Sequence, residues 1–438
     1  MEINRTIIAS EQAMEILNRR AKSSNVVITS RVSLLLDYQV VREAVNLAQI
    51  RHHILNYRIL GSLDQLCFEY GETPKIPLRL VRDFAGDIWQ DLVRAELNTS
   101  IDSDQVLMRM LLVHPSEEKN NSYLIMTIHH AICDGLSALE LHGEILQYCQ
   151  EIISEKSVIP RPSLGVFSSL KQLSPQFGAR WQQKIRGILL LLRIRWEMFY
   201  HKPKALQFEQ YVPVESRRCG IVHRVLPASF INQLIKRCRE EKTTVQGAIM
   251  SAMLLAVAQK IFQQENLATA CLNCHSYVDL RKYLQPQVNK EHLAMLVSMV
   301  RSFHTINFQT SFWDLAREAR QTITTKLKGN DIFTTLLISR KLAEKLLEAD
   351  QLVPATISVS NVGQVSLDPK KLPHLEEISF AVGQSAYGGM LLVSAATFSS
   401  QLVLNLVFSE PSISQQTAET VMDDSINYLQ TELGISNK

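Results

Sequence analysis

The pattern of hydrophobic and polar positions changes period within one short stretch of the first half of the chain. Tyr123–Ile128 is a run of apolar and β-branched residues too short for a helix, which predicts a buried strand. After Gly135 the apolar residues recur at helical spacing and predict a helix, with Asp134 at the N-cap position. His129 and His130 therefore lie between a strand end and a helix start, where functional groups are often placed.

The same argument predicts the other elements of the first half. A polar run between residues 115 and 122 predicts a hairpin that leads into Tyr123–Ile128. The remaining predicted elements are a helix over residues 10–21, a helix from about residue 38 that ends near 51–55, a strand pair at 26–29 and 32–36, and a strand at 107–113.

A basic amphipathic helix is predicted over Trp181–Tyr200, after a stretch without a strong pattern. Its apolar positions form one stripe, which consists of Trp181, Ile185, Ile188, Leu189, Leu192, Trp196 and Phe199. The residues that flank the stripe are basic, with Lys184 and Arg195 on one side and Arg186 and Arg193 on the other. This pattern fits a helix sandwiched between two halves of the protein. It also fits a helix that rests on a membrane surface or meets an acidic partner.

The second half of the chain reads as alternating strands and helices. The residues from Thr243 onward form a nearly all-apolar pattern with a threonine cap, which predicts a buried helix. Ile357–Gly363 is predicted as a β-branched strand that is broken by Asn-x-Gly. The other predicted elements are strands at 223–226, 271–275, 378–382, 390–396 and 401–408, and helices at 229–240, from 311 and at 414–433.

Length and composition indicate a globular protein of two domains. The 438 residues exceed one ordinary core. We expect a first subdomain over 1–175, a connecting basic segment over 176–215 and a second subdomain over 216–438. The net charge of +3 gives no argument for a nucleic-acid partner. No apolar signal segment opens the chain, and no run approaches the ~18 apolar residues of a membrane span. The seven cysteines are an odd number, a pattern typical of reduced thiols. We therefore predict a cytoplasmic protein.

Two other histidine-containing segments carry weaker signals. His52 and His53 form a second pair, but no Asp-Gly follows them, and we interpret them as structural. Cys271, Cys274 and His275 match the spacing of c-type haem attachment, yet they lie in a predicted strand of a chain without a secretory signal. No second cysteine pair lies at zinc-finger spacing, so we expect no bound metal.

The spacing of His129, His130, Asp134 and Gly135 resembles the His-His-x-x-x-Asp-Gly signature of the coenzyme-A-dependent acyltransferase superfamily. That superfamily holds chloramphenicol acetyltransferase, nonribosomal peptide condensation domains, wax ester synthases and polyketide-associated diacyltransferases. Further segments resemble the family in chain order, namely 51–55, the strand around Arg109, 278–281 and 360–363. The Asp-Phe-Gly-Trp-Gly motif of plant-type members is missing, and residues 379–383 are the segment that resembles it most. The missing motif argues against a plant-type enzyme.

The resemblance implies an α/β fold of two chloramphenicol-acetyltransferase-like subdomains, each a mixed sheet with helices, that form a V with an active-site tunnel between them. Donor and acceptor then enter from opposite ends and meet at the second histidine. The implied chemistry moves an acyl group from an acyl-CoA or phosphopantetheinyl-carrier thioester to a hydroxyl or amine of a small-molecule acceptor. We expect no permanently bound cofactor, a monomer, and a place in natural-product or lipid biosynthesis.

The resemblance also assigns roles to individual residues. His130 is implied as the general base and His129 as its support, and an imidazole suits this task because its ordinary pKa lies near neutrality. Asp134 is implied to be mainly structural and to meet Arg281 of the second half, while Gly135 lets the turn pass close to the tunnel. The implied tunnel-wall residues are Ser360, Asn361 and Gly363.

Three alternatives stay open. Cys133 lies inside the motif and could act as a nucleophile, although the sequence shows no orienting partner for it. The chain could be a stand-alone condensation-type domain that receives its carriers in trans. It could also be a non-catalytic docking module of the same fold, although a scaffold has no need of an exposed base.

The basic helix is predicted to help present the acyl donor. Residues 180–204 carry seven Lys or Arg against one acidic residue, Glu197. An acidic acyl carrier protein would gain on-rate from such a patch, with Arg186, Arg193 and Arg195 as the docking residues. Anionic lipid headgroups are the second possible partner, because the apolar stripe could enter a membrane interface.

Overall fold

The computed structural model describes residues 4–71, 73–82, 88–115, 120–154, 161–167, 179–349 and 351–435. Its helices are α1 (Ala9–Ala21), α2 (Tyr38–Arg51), α3 (Trp89–Leu97), α4 (Gly135–Ile153), α5 (Arg180–His201), α6 (Ala228–Glu240), α7 (Val245–Glu265), α8 (Phe312–Leu327), α9 (Asp331–Glu348) and α10 (Gln415–Glu432). Its strands are β1 (Arg5–Thr6), β2 (Val26–Val32), β3 (Tyr57–Leu60), β4 (Cys67–Tyr70), β5 (Leu78–Arg82), β6 (Met108–His114), β7 (Ser122–Ile128), β8 (Arg218–Leu226), β9 (Thr269–Asp279), β10 (Val297–Asn307), β11 (Ile357–Gln364), β12 (Leu375–Val382), β13 (Leu391–Phe398) and β14 (Gln401–Glu410).

A five-stranded sheet in the order β12-β2-β7-β6-β5 forms the first half of the protein. β6 and β7 pair antiparallel, which confirms the predicted hairpin. Leu124, Met126 and Ile128 of β7 join a cluster with the apolar sides of α2 and α4. Ile125 faces the opposite side and packs near α3. Because both faces of β7 are covered, its sequence is a continuous apolar run rather than an alternating one.

A six-stranded sheet in the order β10-β9-β11-β13-β14-β8 forms the second half. β11 runs parallel to both β9 and β13, whereas the outer pairs are antiparallel, so the sheet is mixed as predicted. Helices α6, α7, α8 and α10 share one hydrophobic cluster with this sheet. A third, three-stranded sheet has the order β1-β4-β3.

Helix α7 is the central helix of the second half. Among the described residues it is the one helix that is long and apolar enough to cross a membrane by length and composition. The sequence-based expectation that no apolar segment approaches that length is therefore wrong. Since 78% of its apolar window is buried inside the protein, the helix serves as a core element.

Strand β12 belongs to the second half of the chain but completes the sheet of the first half. It pairs antiparallel with β2 over Val26–Val32. Its residues Ile378 and Phe380 join the hydrophobic cluster of the first half. The predicted subdomain 216–438 is therefore corrected, because one of its strands is built into the other sheet. The predicted boundary at 175 and 176 lies outside the described residues.

Two local predictions also need correction. Residues 33–36 do not form the second strand of a pair, because β2 ends at Val32 and the chain turns toward α2. Residues 297–307 and 331–348, to which the pattern analysis assigns no element, form β10 and α9.

Helix α5 packs on one side only. Leu190 on its back is buried, and a Cβ added to Gly187 would lie 3.1 Å from Ile338 of α9. At its C-terminal end, His201 stacks on Phe303 of the second sheet with ring centroids 4.3 Å apart. The apolar stripe points away from these contacts and is exposed. The prediction that this helix is sandwiched between two halves of the protein is therefore wrong.

Candidate active site

The turn between β7 and α4 is anchored at both ends. The backbone N–H of His129 donates to the carbonyl of Leu107 at 2.9 Å. Asp134 caps α4 as predicted, since its Oδ1 accepts from the N–H of Ser137 at 2.9 Å. The Ser137 hydroxyl in turn accepts from the Asp134 N–H at 3.1 Å, which completes a reciprocal cap.

His130 is partly exposed, and its tautomer is set by the backbone. Its Nδ1 lies 2.9 Å from the carbonyl oxygen of Cys133. A carbonyl can only accept, so Nδ1 carries the ring proton and Nε2 keeps its lone pair. Burial lowers the pKa of His130 below 6.5, against the opposing effects of nearby carbonyls and of Asp134. The ring is therefore neutral near pH 7, with a basic nitrogen that accepts no hydrogen bond from the described residues.

His129 is fully buried and faces a carboxylate. Its Nδ1 accepts from the backbone N–H of Ala131 at 3.1 Å, and its Nε2 lies 2.7 Å from Oε2 of Glu15 on α1. Glu15 also accepts from the Ser103 hydroxyl at 2.6 Å and pairs with Arg19. Burial would raise the pKa of Glu15, but His129 and these other contacts outweigh it, so the pKa is lowered. His129 therefore has no nitrogen left for a substrate.

Asp134 and Arg281 form a buried ion pair between the two halves, as the resemblance predicts. Arg281 Nη1 donates to Asp134 Oδ2 at 2.8 Å, and Nη2 donates to Oδ1 at 3.2 Å. The N–H of Leu296 donates to the same Oδ2 at 3.0 Å. Burial would raise the pKa of Asp134, but Arg281 holds it below its ordinary value. The carboxylate is ionised and fully used by these partners, which makes it structural.

Gly135 has a packing role in the structure. A Cβ added there would lie 3.0 Å from the ring of Phe380 on β12. The missing side chain thus lets α4 approach the strand that the second half contributes. The expectation that Gly135 also lets the turn pass close to the tunnel stays a prediction.

Cys133 is a poor candidate for a nucleophile. Its thiol is buried and lies 3.6 Å from the carbonyl oxygen of His129, to which it donates. Burial and the charge of Asp134 raise its pKa well above 9.0. A neutral, buried thiol without an adjacent base is inert.

Ser360, Asn361 and Gly363 lie on a bulge of β11. The strand register shifts between Asn361 and Gly363, and Gly363 has a φ of +70°. Its N–H donates to Oδ1 of Asn361 at 2.8 Å, which closes the turn within the strand. Val362 between them packs against the hydrophobic cluster of the first half. The bulge therefore lies at the interface of the two halves, and its place on a tunnel wall stays a prediction.

The three predicted docking arginines all lie on α5. Arg193 pairs with Asp331 of α9, and Arg186 and Arg195 are exposed. Their role toward a donor stays a prediction. Arg109 on β6 donates to Glu96 at 2.6 Å and to two backbone carbonyls.

The cysteines of the haem-like spacing lie within β9. Burial raises the pKa of Cys274 to about 12 and also raises that of Cys271. Within the described ranges, no group of three or more His, Cys, Asp or Glu side chains is arranged to hold a metal ion.

Glu15 is the site residue that sequence reasoning missed. It lies in helix α1 with Glu11 and Asn18 on one side, a polar stripe that normally faces solvent. In the structure this stripe is buried, and Glu15 and Asn18 are almost completely covered. A run of polar residues at helical spacing gives no signal that distinguishes a buried network from a solvated face.

Comparisons with known proteins find similar sequences and similar folds. Residues 226–396 match the family model described as phthiocerol/phthiodiolone dimycocerosyl transferase C-terminus. A probable alcohol acetyltransferase, FCK4 of Fusarium pseudograminearum strain CS3096, is 22% identical over 342 residues, which are 72% of this chain and 68% of that protein. Trichothecene 15-O-acetyltransferase TRI3 from Fusarium sporotrichioides has a similar structure, with a TM-score of 0.71 at 12% identity over 98% of this chain and 95% of that one. Polyketide synthase associated protein 5 from Mycobacterium tuberculosis superposes with a TM-score of 0.67 at 16% identity, over 98% and 97% of the two chains.

The fold is thus the two-lobed fold of the chloramphenicol-acetyltransferase-like acyltransferases. With these sequence matches and its His-His-x-x-x-Asp-Gly turn, the chain is an acyltransferase that is similar to members of that superfamily.

Proposed function

We propose that the protein transfers an acyl group from an acyl-CoA or acyl-carrier thioester to a hydroxyl group of a small molecule, with His130 as general base. The observation that carries this proposal is the contact of His130 Nδ1 with the Cys133 carbonyl. It fixes the tautomer in which Nε2 can accept a proton. The lowered pKa keeps that nitrogen unprotonated at neutral pH.

The reaction needs one base and no covalent enzyme intermediate. Nε2 of His130 takes the hydroxyl proton of the acceptor while the oxygen attacks the thioester carbonyl. The tetrahedral intermediate then expels the thiolate, which recovers the proton from the imidazolium. The oxygen–carbon bond replaces the carbon–sulfur bond, and His130 returns to its starting state.

The names of two similar proteins support a hydroxyl acceptor. Two of them are named as an alcohol acetyltransferase and a 15-O-acetyltransferase, which favours a hydroxyl over an amine. The bulge around Asn361 at the interface of the halves is a candidate wall for the acceptor or the acyl chain. A stand-alone condensation-type reaction between two carrier-bound substrates is the second reaction that this fold could support.

A thiol-release screen tests the proposal. Acetyl-CoA and longer acyl-CoAs are mixed with alcohols and amines, free thiol is titrated, and the ester or amide is identified by mass spectrometry. We expect thiol release that depends on an alcohol and that disappears in His130→Gln but persists in Cys133→Ala. Activity that survives His130→Gln would refute the mechanism. Activity lost in a folded Cys133→Ala variant would favour a thiol nucleophile.

Release only from carrier-bound donors would assign the condensation-type reaction instead. A folded protein that releases no thiol from any donor, free or carrier-bound, would favour the docking-module alternative.

A further inference from the structure

Helix α5 concentrates exposed hydrophobic surface to an unusual degree. Large hydrophobic side chains are exposed at scattered single positions elsewhere in the described residues, but half of all such residues lie on this helix. They are the seven residues of the stripe together with Tyr200, and each is between 47% and 74% exposed. A contiguous apolar surface of this kind marks an interaction site, whereas isolated exposed residues need no explanation.

The fold holds the stripe in a fixed outward orientation. The opposite side of α5 packs on α9, where Leu190 is buried and Gly187 allows close approach to Ile338. The helix has 22 residues, which corresponds to a length of roughly 33 Å. The protein therefore presents a straight apolar ridge on a rigid support, and no conformational change is needed to expose it.

Basic residues border this ridge on both sides and leave its centre apolar. Lys184 and Arg195 lie along one edge, Arg186 and Arg193 lie along the other, and all four are exposed. Long cationic side chains at the edge of an apolar surface can keep their charges in a polar layer while their stems cover hydrocarbon. Residues 180–204 hold seven Lys or Arg against one acidic residue, although the whole chain is nearly balanced.

The aromatic residues of the ridge suit a boundary between water and hydrocarbon. Trp196 and Tyr200 stack with ring centroids 5.2 Å apart, and Trp181 and Phe199 lie near opposite ends of the same helix. Tryptophan and tyrosine prefer such boundaries because each has a large apolar ring and a polar atom.

We infer that the stripe of α5 docks the protein on the surface of an anionic lipid bilayer, with the helix axis in the plane of the membrane. A bilayer surface offers a continuous apolar layer beneath a layer of negative charge, which matches an apolar centre between two basic edges. An acidic carrier protein matches only the edges, since charge-steered docking does not require hydrophobic residues at the centre of the contact. The inference concerns where the protein binds and does not depend on the proposed reaction.

Vesicle binding tests this inference directly. The full chain is sedimented with phosphatidylcholine vesicles that either contain or lack phosphatidylserine. We expect co-sedimentation with the anionic vesicles, and tryptophan quenching by lipids that are brominated on their acyl chains. Phe199→Ser should weaken the partition coefficient roughly tenfold, because a buried aromatic ring is lost from the apolar phase. Arg186→Glu and Arg195→Glu should each weaken binding to anionic vesicles by at least about fivefold and should matter little for neutral ones.

The chain offers a matched control for the apolar substitution. Phe308 follows β10 in the second half, outside α5, and is 73% exposed, compared with 74% for Phe199. Phe308→Ser should leave vesicle binding unchanged, so a general effect of surface hydrophobicity would show as equal losses in both variants.

Three results would overturn the inference. The first is no sedimentation with either vesicle. The second is a stable dimer in solution that Phe199→Ser dissociates, which would assign the stripe to a second copy of this chain. The third is a salt-sensitive complex with a phosphopantetheinylated acidic carrier protein that the arginine variants abolish while vesicle binding is absent.

Discussion

The chain carries two pairs of adjacent histidines, His52–His53 and His129–His130. The first histidines of the two pairs have similar surroundings, whereas the second histidines do not. In each pair the first histidine is buried against a carboxylate of another helix. His52 Nε2 lies 3.0 Å from Glu144 Oε2, and His129 Nε2 lies 2.7 Å from Glu15 Oε2. The second histidines diverge, because His53 Nε2 contacts the Ser163 hydroxyl at 2.7 Å whereas Nδ1 of His130 contacts a backbone carbonyl.

The difference shows what the residues after a histidine pair contribute. The segment after His130 turns tightly through Cys133 to the cap at Asp134, and this turn brings a carbonyl back onto Nδ1. His53 instead opens a short 3-10 helix that leads into β3, so its backbone surroundings differ from those of His130. The proposed base, His130, thus owes the proton on its Nδ1 to the turn that follows it, which the residue type alone does not supply.

Replacement of the second histidine in each pair should give the largest difference in activity. His130→Gln is expected to lower kcat/KM by about 10²–10⁴-fold, because glutamine cannot accept a proton at neutral pH. His53→Gln should remain within about twofold of the parent, a change too small for loss of a positioned base. Steady-state thiol release measures both variants, and circular dichroism confirms that both are folded. Equal losses in the two variants would end the functional distinction between the pairs.

Near each histidine pair, an ion pair connects the first half to the second half. The two ion pairs should contribute differently to the free energy of unfolding. Asp134→Ala leaves Arg281 buried without its main partner and is expected to cost about 3–5 kcal/mol in free energy of unfolding. Glu291 pairs with Arg51, beside His52, but its side chain is 41% exposed. Glu291→Ala should therefore cost less than about 1 kcal/mol. Urea denaturation measures both, and a smaller loss for Asp134→Ala than for Glu291→Ala would contradict the structure.

The carboxylates that contact the first histidines, Glu15 and Glu144, should differ in their effect on kcat. Glu15→Gln and Glu144→Gln keep the size of the side chain but remove a buried negative charge, and each should cost about 1–3 kcal/mol of stability. Only Glu15→Gln should also lower kcat, by roughly tenfold, since small shifts in a catalytic group reduce the rate steeply. Comparable losses of kcat would show that the effect is one of general stability.

The pH dependence of the reaction should give the smallest but most specific signal. The pKa of His130 lies below 6.5 because of burial, and the base works only when neutral. The kcat/KM should therefore stay above half of its plateau at pH 6.5 and fall only at lower pH, as protonation through the folded pKa removes the lone pair. An acid limb centred above pH 6.5 would mean that another group controls the rate.

Sequence reasoning predicts elements whose information is local. β7 and α4 follow from the change in hydrophobic period. The Asp134–Arg281 pair joins residues far apart in the chain, and only the family resemblance predicts it. Sequence reasoning does not find Glu15, because the burial of a polar helix face depends on which distant segments cover it. It predicts α5 and its two faces from spacing, but the choice of which face is covered rests on α9, to which the sequence pattern assigns no element.

The strand that the second half inserts into the first sheet has a consequence for synthesis on the ribosome. β2 emerges early, yet its partner β12 is made only after most of the chain. Until then one edge of the nascent sheet is open, and an unpaired edge favours association with other chains. Because the pairing of Val26–Val32 with residues 375–382 spans so much sequence, closing the sheet is expected to be a late and slow event. Translation of the last quarter of the protein thus decides when its first quarter is complete.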